Sequence, residues 1–250
     1  MALMNFKGLD VLTPNWPLPC HVVAYSTTRI GGVSKGNFAS LNLAQHVGDS
    51  VEDVLKNRSL LPFSQNIQWL DQVHSNRVVE AVPWEHSPQA DACYCQENNV
   101  FCAVMTADCV PILLSNRAGT EVAAVHAGWK GLESGIISNT LERMKADSTD
   151  IFAWIGPCIS QPCYEVGADV VGHFIDDFPE ACKPNSAQKW QLDLPGIAET
   201  QLSNGGVDHI FKSKMCTYMR SDLFFSHRFA THQSLSSTGR IASVIGILSP

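Results

Sequence analysis

No part of this chain is apolar for as long as a membrane helix requires. The longest candidates, such as Val100 to Leu114, are broken by Asp108, short of the roughly 18 residues a span needs. The opening MALMNFKGLD has no basic start followed by an apolar segment, so no secretory leader is expected and the chain reads as cytoplasmic, with no membrane partner. Basic residues are scarce: 17 Lys and Arg against 24 Asp and Glu give a formal charge of -7. Binding a nucleic-acid backbone normally needs a basic surface, so no nucleic acid is expected and any bound anion must be small and locally held. There is no fixed-period repeat, low-complexity tract or linker-like cluster of turn residues. One domain over 1–250 is the simplest organisation, and 45% hydrophobic residues supply an ample core. The nine cysteines are an odd count without an export signal, which predicts reduced thiols rather than a disulfide framework.

Strands are expected from β-branched and aromatic runs at Val22 to Thr28, Arg77 to Val82, Val100 to Met105, Pro111 to Ser115, Glu121 to His126, Ile151 to Ile155, Trp190 to Leu194 and Arg240 to Leu248. Helical spacing of Ile136, Ile137, Thr140, Leu141 and Met144 predicts a helix after Gly131 with Ser134 as N-cap. Further helices are expected over Ala168 to Phe178, from the capping-box-like Ser50 and Asp53, and from Pro195 at the first helical position to Gly205 and Gly206. Strands outnumber helices without regular alternation, which points to an α+β fold.

Three segments carry chemistry: QVHS around His74, TADCVP around Cys109 and HAGWKG around His126. Cys109 lies between two apolar strands, and His126 ends a strand just before Gly128 and Gly131. Side chains at strand ends beside glycines are well placed to converge at one end of a sheet. Two imidazoles and a thiolate suit zinc, and three ligands leave a position for water. Two other readings stay open: unrelated surface imidazoles and a core thiol, or Cys109 as a nucleophile with His126 as its base.

These segments occur with TTRIGGVSKGNFASLNL at 27–43, HVGD at 46–49, ADA at 90–92, IGPCIS at 155–160, YEVG at 164–167, CTY at 216–218 and TGR at 238–240. In that order, over nearly the whole chain, they resemble the laccase-domain or polyphenol oxidase family, whose bacterial members are also described as purine nucleoside phosphorylases. The resemblance implies an α/β-β/α sandwich with mixed sheets, related to cysteine-hydrolase toxins. It implies zinc on the positions of His74, Cys109 and His126. It also implies phosphorolysis of adenosine, inosine and methylthioadenosine, deamination of adenosine and, as an alternative, hydrolytic editing of peptidoglycan precursors.

The laccase label can be tested on residues. Four-copper oxidases build their sites from many histidines, mostly in His-x-His pairs, whereas this chain has nine histidines and no such pair. A single copper could still enter a site of two histidines and a cysteine, since copper(II) outcompetes zinc in affinity. In the implied reactions, Asp108 or Asp91 would move protons for deamination, or else cap a turn or orient a zinc-bound imidazole. Arg29 and Lys130, each beside glycines, would hold phosphate, with Gly31 and Gly32 as a backbone anion nest. Ser34, Asn42 and His46 would contact the sugar, and Phe38, Tyr164 or Trp129 would stack on the purine. Relatives commonly carry arginine where this chain has Lys130, which replaces a bidentate clamp by a point charge. The segment SHRFATHQSLSS before TGR is longer than the family pattern, and no role is assigned to its His227, Arg228 and His232.

Overall fold

Alternating side chains on the long central strands are divided between two faces, and the layering of the molecule follows from that division. The computed structural model describes residues 2–6, 8–82, 87–185 and 188–249. One six-stranded sheet runs in the order β1 (Ala2–Phe6), β2 (Leu9–Thr13), β3 (Val22–Thr27), β15 (Ile241–Ile247), β7 (Phe101–Thr106) and β4 (Ile67–Gln68). The other runs β14 (His209–Lys212), β10 (Ile151–Ile155), β8 (Val110–Asn116), β9 (Val122–Ala127), β6 (Ala92–Cys95) and β5 (Val78–Glu80). A small third sheet joins β11 (Glu165–Val166), β13 (Trp190–Leu192) and β12 (Cys182–Pro184). Most pairs are antiparallel, but β4 with β7, β10 with β14 and β5 with β6 are parallel, so both large sheets are mixed.

Cys102 and Val104 of β7 and Ile245 and Ile247 of β15 pack in one cluster with Leu113 of β8, Ala124 of β9 and Trp154 of β10. The two large sheets therefore meet face to face. The intervening residues Phe101, Ala103, Met105, Ala242 and Val244 face the opposite way, against Leu41, Leu43 and Leu61. On the far side of the second sheet, Ile112, Leu114, Val125 and Ala153 pack against Leu132, Ile136, Ile137, Leu141 and Ile197. Leu113 is fully buried between the sheets, where truncation to alanine costs about 2–5 kcal/mol. All nine cysteines are free, and Cys93, Cys95 and Cys102 act as small apolar residues between the sheets. No helix of the described residues is long and apolar enough to cross a membrane.

The helices correct several expectations. The helix after Gly131 is two helices, α2 (Trp129–Glu133) and α3 (Ile136–Arg143). Ser134 ends the first rather than starting the second, its hydroxyl donating to the Lys130 carbonyl at 2.7 Å. Gly135, at φ 85°, makes the break because few other residues accept that conformation. The apolar stripe expected as a helix over Ala168 to Phe178 is helical only in α4 (Ala168–Val171), beyond which Phe174 is buried from a run of turns. Ser50 caps α1 (Val51–Ser59) as expected, accepting from Asp53 N at 3.3 Å. In α5 (Leu194–Asn204), Asp193 is the N-cap, so Pro195 stands second rather than first. A sixth helix, α6 (His227–His232), capped by Ser226, was not foreseen and occupies the segment without an assigned role.

Candidate functional site

Pairing of β8 with β9 brings the start of one beside the end of the other, with Val110 opposite Ala127 and Pro111 opposite His126. Cys109, one residue before β8, and His126 therefore share one edge. His74 reaches the same place from a loop with a left-handed backbone at φ 59°. One ligand atom each from His74, Cys109 and His126 lies within 4.8 Å of the others. Gly128 makes room for this approach: a Cβ there would sit 3.1 Å from Cys109 Sγ and 3.2 Å from His74 Cδ2.

Asp91 organises the cluster from behind. It is fully buried, and its carboxylate accepts from His126 Nδ1 at 2.8 Å, from the backbone N–H of His74 at 3.0 Å and from the N–H and hydroxyl of Ser75 at 2.6 and 2.7 Å. These contacts fix the loop that carries His74 and turn the other nitrogen of His126 away from the carboxylate. That is the usual support for a metal-ligating histidine. Burial raises the Asp91 carboxyl, but the bonds from His126 and Ser75 prevail and hold it at about 2. Burial likewise raises the Cys109 thiol, yet the charge and hydrogen bonds of His126 and His74 bring it to about 6. His126 is opposed by burial but raised to about 9 by Cys109 and Asp91. Without an ion the pair is a thiolate and an imidazolium at neutral pH. Two imidazoles, a thiolate, an orienting carboxylate and a glycine-lined approach fit a single zinc or copper ion with an open position.

The cluster opens into a cleft of about 490 Å³ lined by His46, Gln72, Asp108, Trp129, Lys130, Ile159, Tyr164, Leu194, His227, Arg228 and Arg240, among others. Asp108 stands at its edge with φ 96°, its Oδ1 accepting from the Thr217 hydroxyl and its Oδ2 from the Arg228 N–H, both at 2.7 Å. The guanidinium of Arg228 lies over the Tyr164 ring, 5.2 Å from its centroid.

Of the residues expected at the substrate, His46, Lys130, Trp129 and Tyr164 line the cleft. Arg29, Ser34, Asn42 and Phe38 do not. The guanidinium of Arg29 donates to the carbonyls of Ala39 and Ser221, both at 2.9 Å, and stacks over Phe225. The expected anion nest is closed as well, because the Gly32 N–H donates to Ser40 Oγ and a Cβ on Gly32 would meet the Ser40 carbonyl. Ser34 and Asn42 are buried and both donate to Asp49 Oδ2, at 2.6 and 2.9 Å. They brace the loop of His46 from within. Asp91 faces the His126 ring and is not among the residues that line the cleft, the placement of an orienting group. Sequence reasoning missed Arg240 although the segment TGR had been noted, and left Arg228 without a role; two arginines in one C-terminal segment were the available signal.

Known proteins are similar to this chain over nearly its whole length. The family described as multi-copper polyphenol oxidoreductase laccase matches residues 23–248. A Shigella flexneri protein named purine nucleoside phosphorylase YfiH is 42% identical over 95% of this chain and 99% of its own length. Its Escherichia coli counterpart is 40% identical over the same shares. A Neisseria meningitidis crystal structure superposes with a TM-score of 0.90 at 41% identity, covering 96% of this chain and 99% of that one. YlmD from Geobacillus stearothermophilus superposes with 0.86 at 32% identity and covers 94% of each. With its folding pattern and nearly its whole length matched, the chain belongs to the polyphenol oxidoreductase laccase family.

Proposed function

We propose that this protein is a zinc-dependent purine nucleoside phosphorylase that cleaves adenosine, inosine and methylthioadenosine, and that it also deaminates adenosine. The observation that carries the reading is the open cluster of His74, Cys109 and His126 facing a cleft with both aromatic and cationic walls. The names of the bacterial relatives support the substrate class. The described chain works as one cytoplasmic catalytic domain with small-molecule substrates, a nucleoside and phosphate.

Bound zinc would supply a Lewis acid and lower the pKa of a coordinated water. His126 is kept in the ligating orientation by Asp91, and His74 by the loop that Asp91 pins. Tyr164 and Trp129 offer ring faces to a purine. The cationic wall of Lys130, Arg228 and Arg240 would draw phosphate into the cleft, and the phosphate's own negative charge would stabilise the sugar cation that develops as the glycosidic bond breaks, by position rather than covalent chemistry. Asp108 is the carboxylate among the described residues lining the cleft, and it would have to exchange its hydrogen bonds from Thr217 and Arg228 to move a proton to the base during deamination.

A second reading has its own support. Cys109, His126 and Asp91 stand in the order nucleophile, base and orienter, as in cysteine hydrolases. That order suits a hydrolase acting on a peptidoglycan precursor. Copper in the same site, with oxidation of phenols, is the remaining alternative.

Chromatography of purines after incubation with inosine separates these readings. The phosphorylase gives hypoxanthine and ribose 1-phosphate only when phosphate is supplied, and adenosine gives inosine without it. Base release indifferent to phosphate means hydrolysis. Cleavage of a muramyl-amino-acid substrate with no purine turnover means the cell-wall reading.

A further inference from the structure

Among the described residues, Arg240 is held in the cleft without an acidic partner in an ion pair. Its Nη1 donates to the carbonyls of Thr238 and Gly239 at 2.9 and 3.0 Å, which fixes the guanidinium against its own turn. Its Nε and Nη2 make no hydrogen bond among the described residues, and it joins none of the ion pairs they form. Asp108, whose negative charge acts on it, already has both oxygens occupied by Thr217 and Arg228. Burial lowers the pKa of Arg240 despite Cys109 and Asp108. A half-buried guanidinium with two nitrogens aimed at no protein acceptor is a ready partner for an anion entering the cleft.

The surroundings are built to keep it there. Asn42, fully buried, accepts from the Arg240 N–H and from the Ala44 N–H, both at 3.0 Å. Asn57 donates to the Asn42 carbonyl and to Ser34 Oγ, both at 2.9 Å. One network thus joins the turn of Arg240 to the loop of His46. Burial and then the charge of Arg240 lower the His46 pKa, which favours the uncharged imidazole at the cleft. A different group of lining residues, Tyr164, Trp129, Ile159 and Leu194, is aromatic and apolar.

We infer that Arg240 and His46 form the phosphate subsite of the cleft, with the purine on Tyr164 and Trp129, and that Ser34 and Asn42 are positioning residues for that subsite. The assignment rests on the phosphorolysis reading. It replaces Arg29 as the phosphate ligand and makes Lys130, exposed at the cleft, an auxiliary charge. Planar guanidinium suits phosphate because two N–H donors can meet two oxygens at once.

The test is calorimetric titration of inorganic phosphate into the protein as purified, without nucleoside, for wild type, Arg240→Gln, Arg240→Lys, His46→Ala and the surface control Arg117→Gln. Phosphate affinity should fall about 10- to 100-fold in Arg240→Gln, the loss expected on removing charged hydrogen bonds, and remain unchanged in the control. Metal content and circular dichroism should match wild type. Should Arg240→Gln fail to fold, Arg240→Lys and His46→Ala decide: weakened phosphate in both supports the subsite, and wild-type binding in both overturns it. No phosphate binding by wild type, or wild-type affinity in folded Arg240→Gln, also overturns it. Steady-state kinetics with inosine keeps the two proposals apart. Phosphate-dependent base release with an unchanged phosphate KM in Arg240→Gln removes the subsite and leaves the phosphorylase reading. Arg240-dependent phosphate binding without base release does the reverse.

Discussion

The buried carboxylate of Asp91 accepts a 2.8 Å hydrogen bond from Nδ1 of His126 while holding the backbone of the loop that carries His74. One side chain therefore orients two of the three residues, His74, Cys109 and His126, that could hold a metal. Asp91→Asn should keep the fold but weaken metal binding by about 10- to 100-fold, the usual effect of altering such a support. Asp91→Ala should also cost about 3 kcal/mol of stability by stranding buried donors. Competition against a chelator reads the first effect and denaturant unfolding the second.

Gly128 separates packing from ligation. Its backbone is unstrained at φ -76°, so Gly128→Ala adds only a methyl group pressed against Cys109 Sγ and His74 Cδ2. Metal affinity should fall about tenfold, by displacement of the ligands, with the unfolding midpoint of the metal-free protein little changed. Metal content after dialysis against a weak chelator, compared with wild type, measures it.

Metal uptake should depend on pH with a definite sign. The ion requires a thiolate from Cys109 and a neutral His126, whereas in the metal-free protein the first titrates at about 6 and the second at about 9. Between those values the thiolate is already formed and His126 must give up one proton. Affinity should therefore rise about tenfold per pH unit across that window, flatten above it and fall more steeply below it. Calorimetry in buffers of different ionisation enthalpy counts the released proton near pH 7.5.

Arg29 and Lys130 should behave differently from a pair of phosphate ligands. Arg29→Ala loses two 2.9 Å bonds to carbonyls and its contact with Phe225, and should cost about 2–3 kcal/mol of stability while leaving the phosphate KM unchanged. Lys130 is exposed, 5.6 Å from the Trp129 ring centroid, and Lys130→Ala should raise the phosphate KM only a few-fold, by about 1 kcal/mol. Thermal unfolding and phosphate-dependent kinetics on both variants separate the two effects.

Legibility in the sequence followed the range of the interactions. The strands around Cys109 and His126 could be read because their apolar runs are local, whereas the three-residue cluster was legible through the motifs that resemble a known family, since His74 comes from a loop and strand ends alone leave its place open. Short strands such as Ile67–Gln68 and Cys182–Pro184 carry no pattern of their own and exist through their partners. The stripe from Ala168 to Phe178 has helical spacing, yet burial of Phe174 is satisfied from turns after Gly172. Arg29 and Arg240 were the hardest to tell apart. Both stand near glycines, and what distinguishes them is whether the guanidinium meets carbonyls such as Ser221, 192 positions away, or opens to a cleft assembled from distant segments.

Purine chemistry at this cleft, as proposed, depends on a metal held by His74, Cys109 and His126. The most direct test is to strip the protein with a chelator, assay adenosine and inosine, and add zinc back while measuring bound metal. Turnover should disappear with the metal and return in proportion to zinc, saturating at about one ion per chain as three ligands around one open position require, while Cys109→Ala should neither bind zinc nor recover. Full turnover by the stripped protein, abolished by alkylating Cys109, would contradict it and establish the thiolate of Cys109 as the nucleophile.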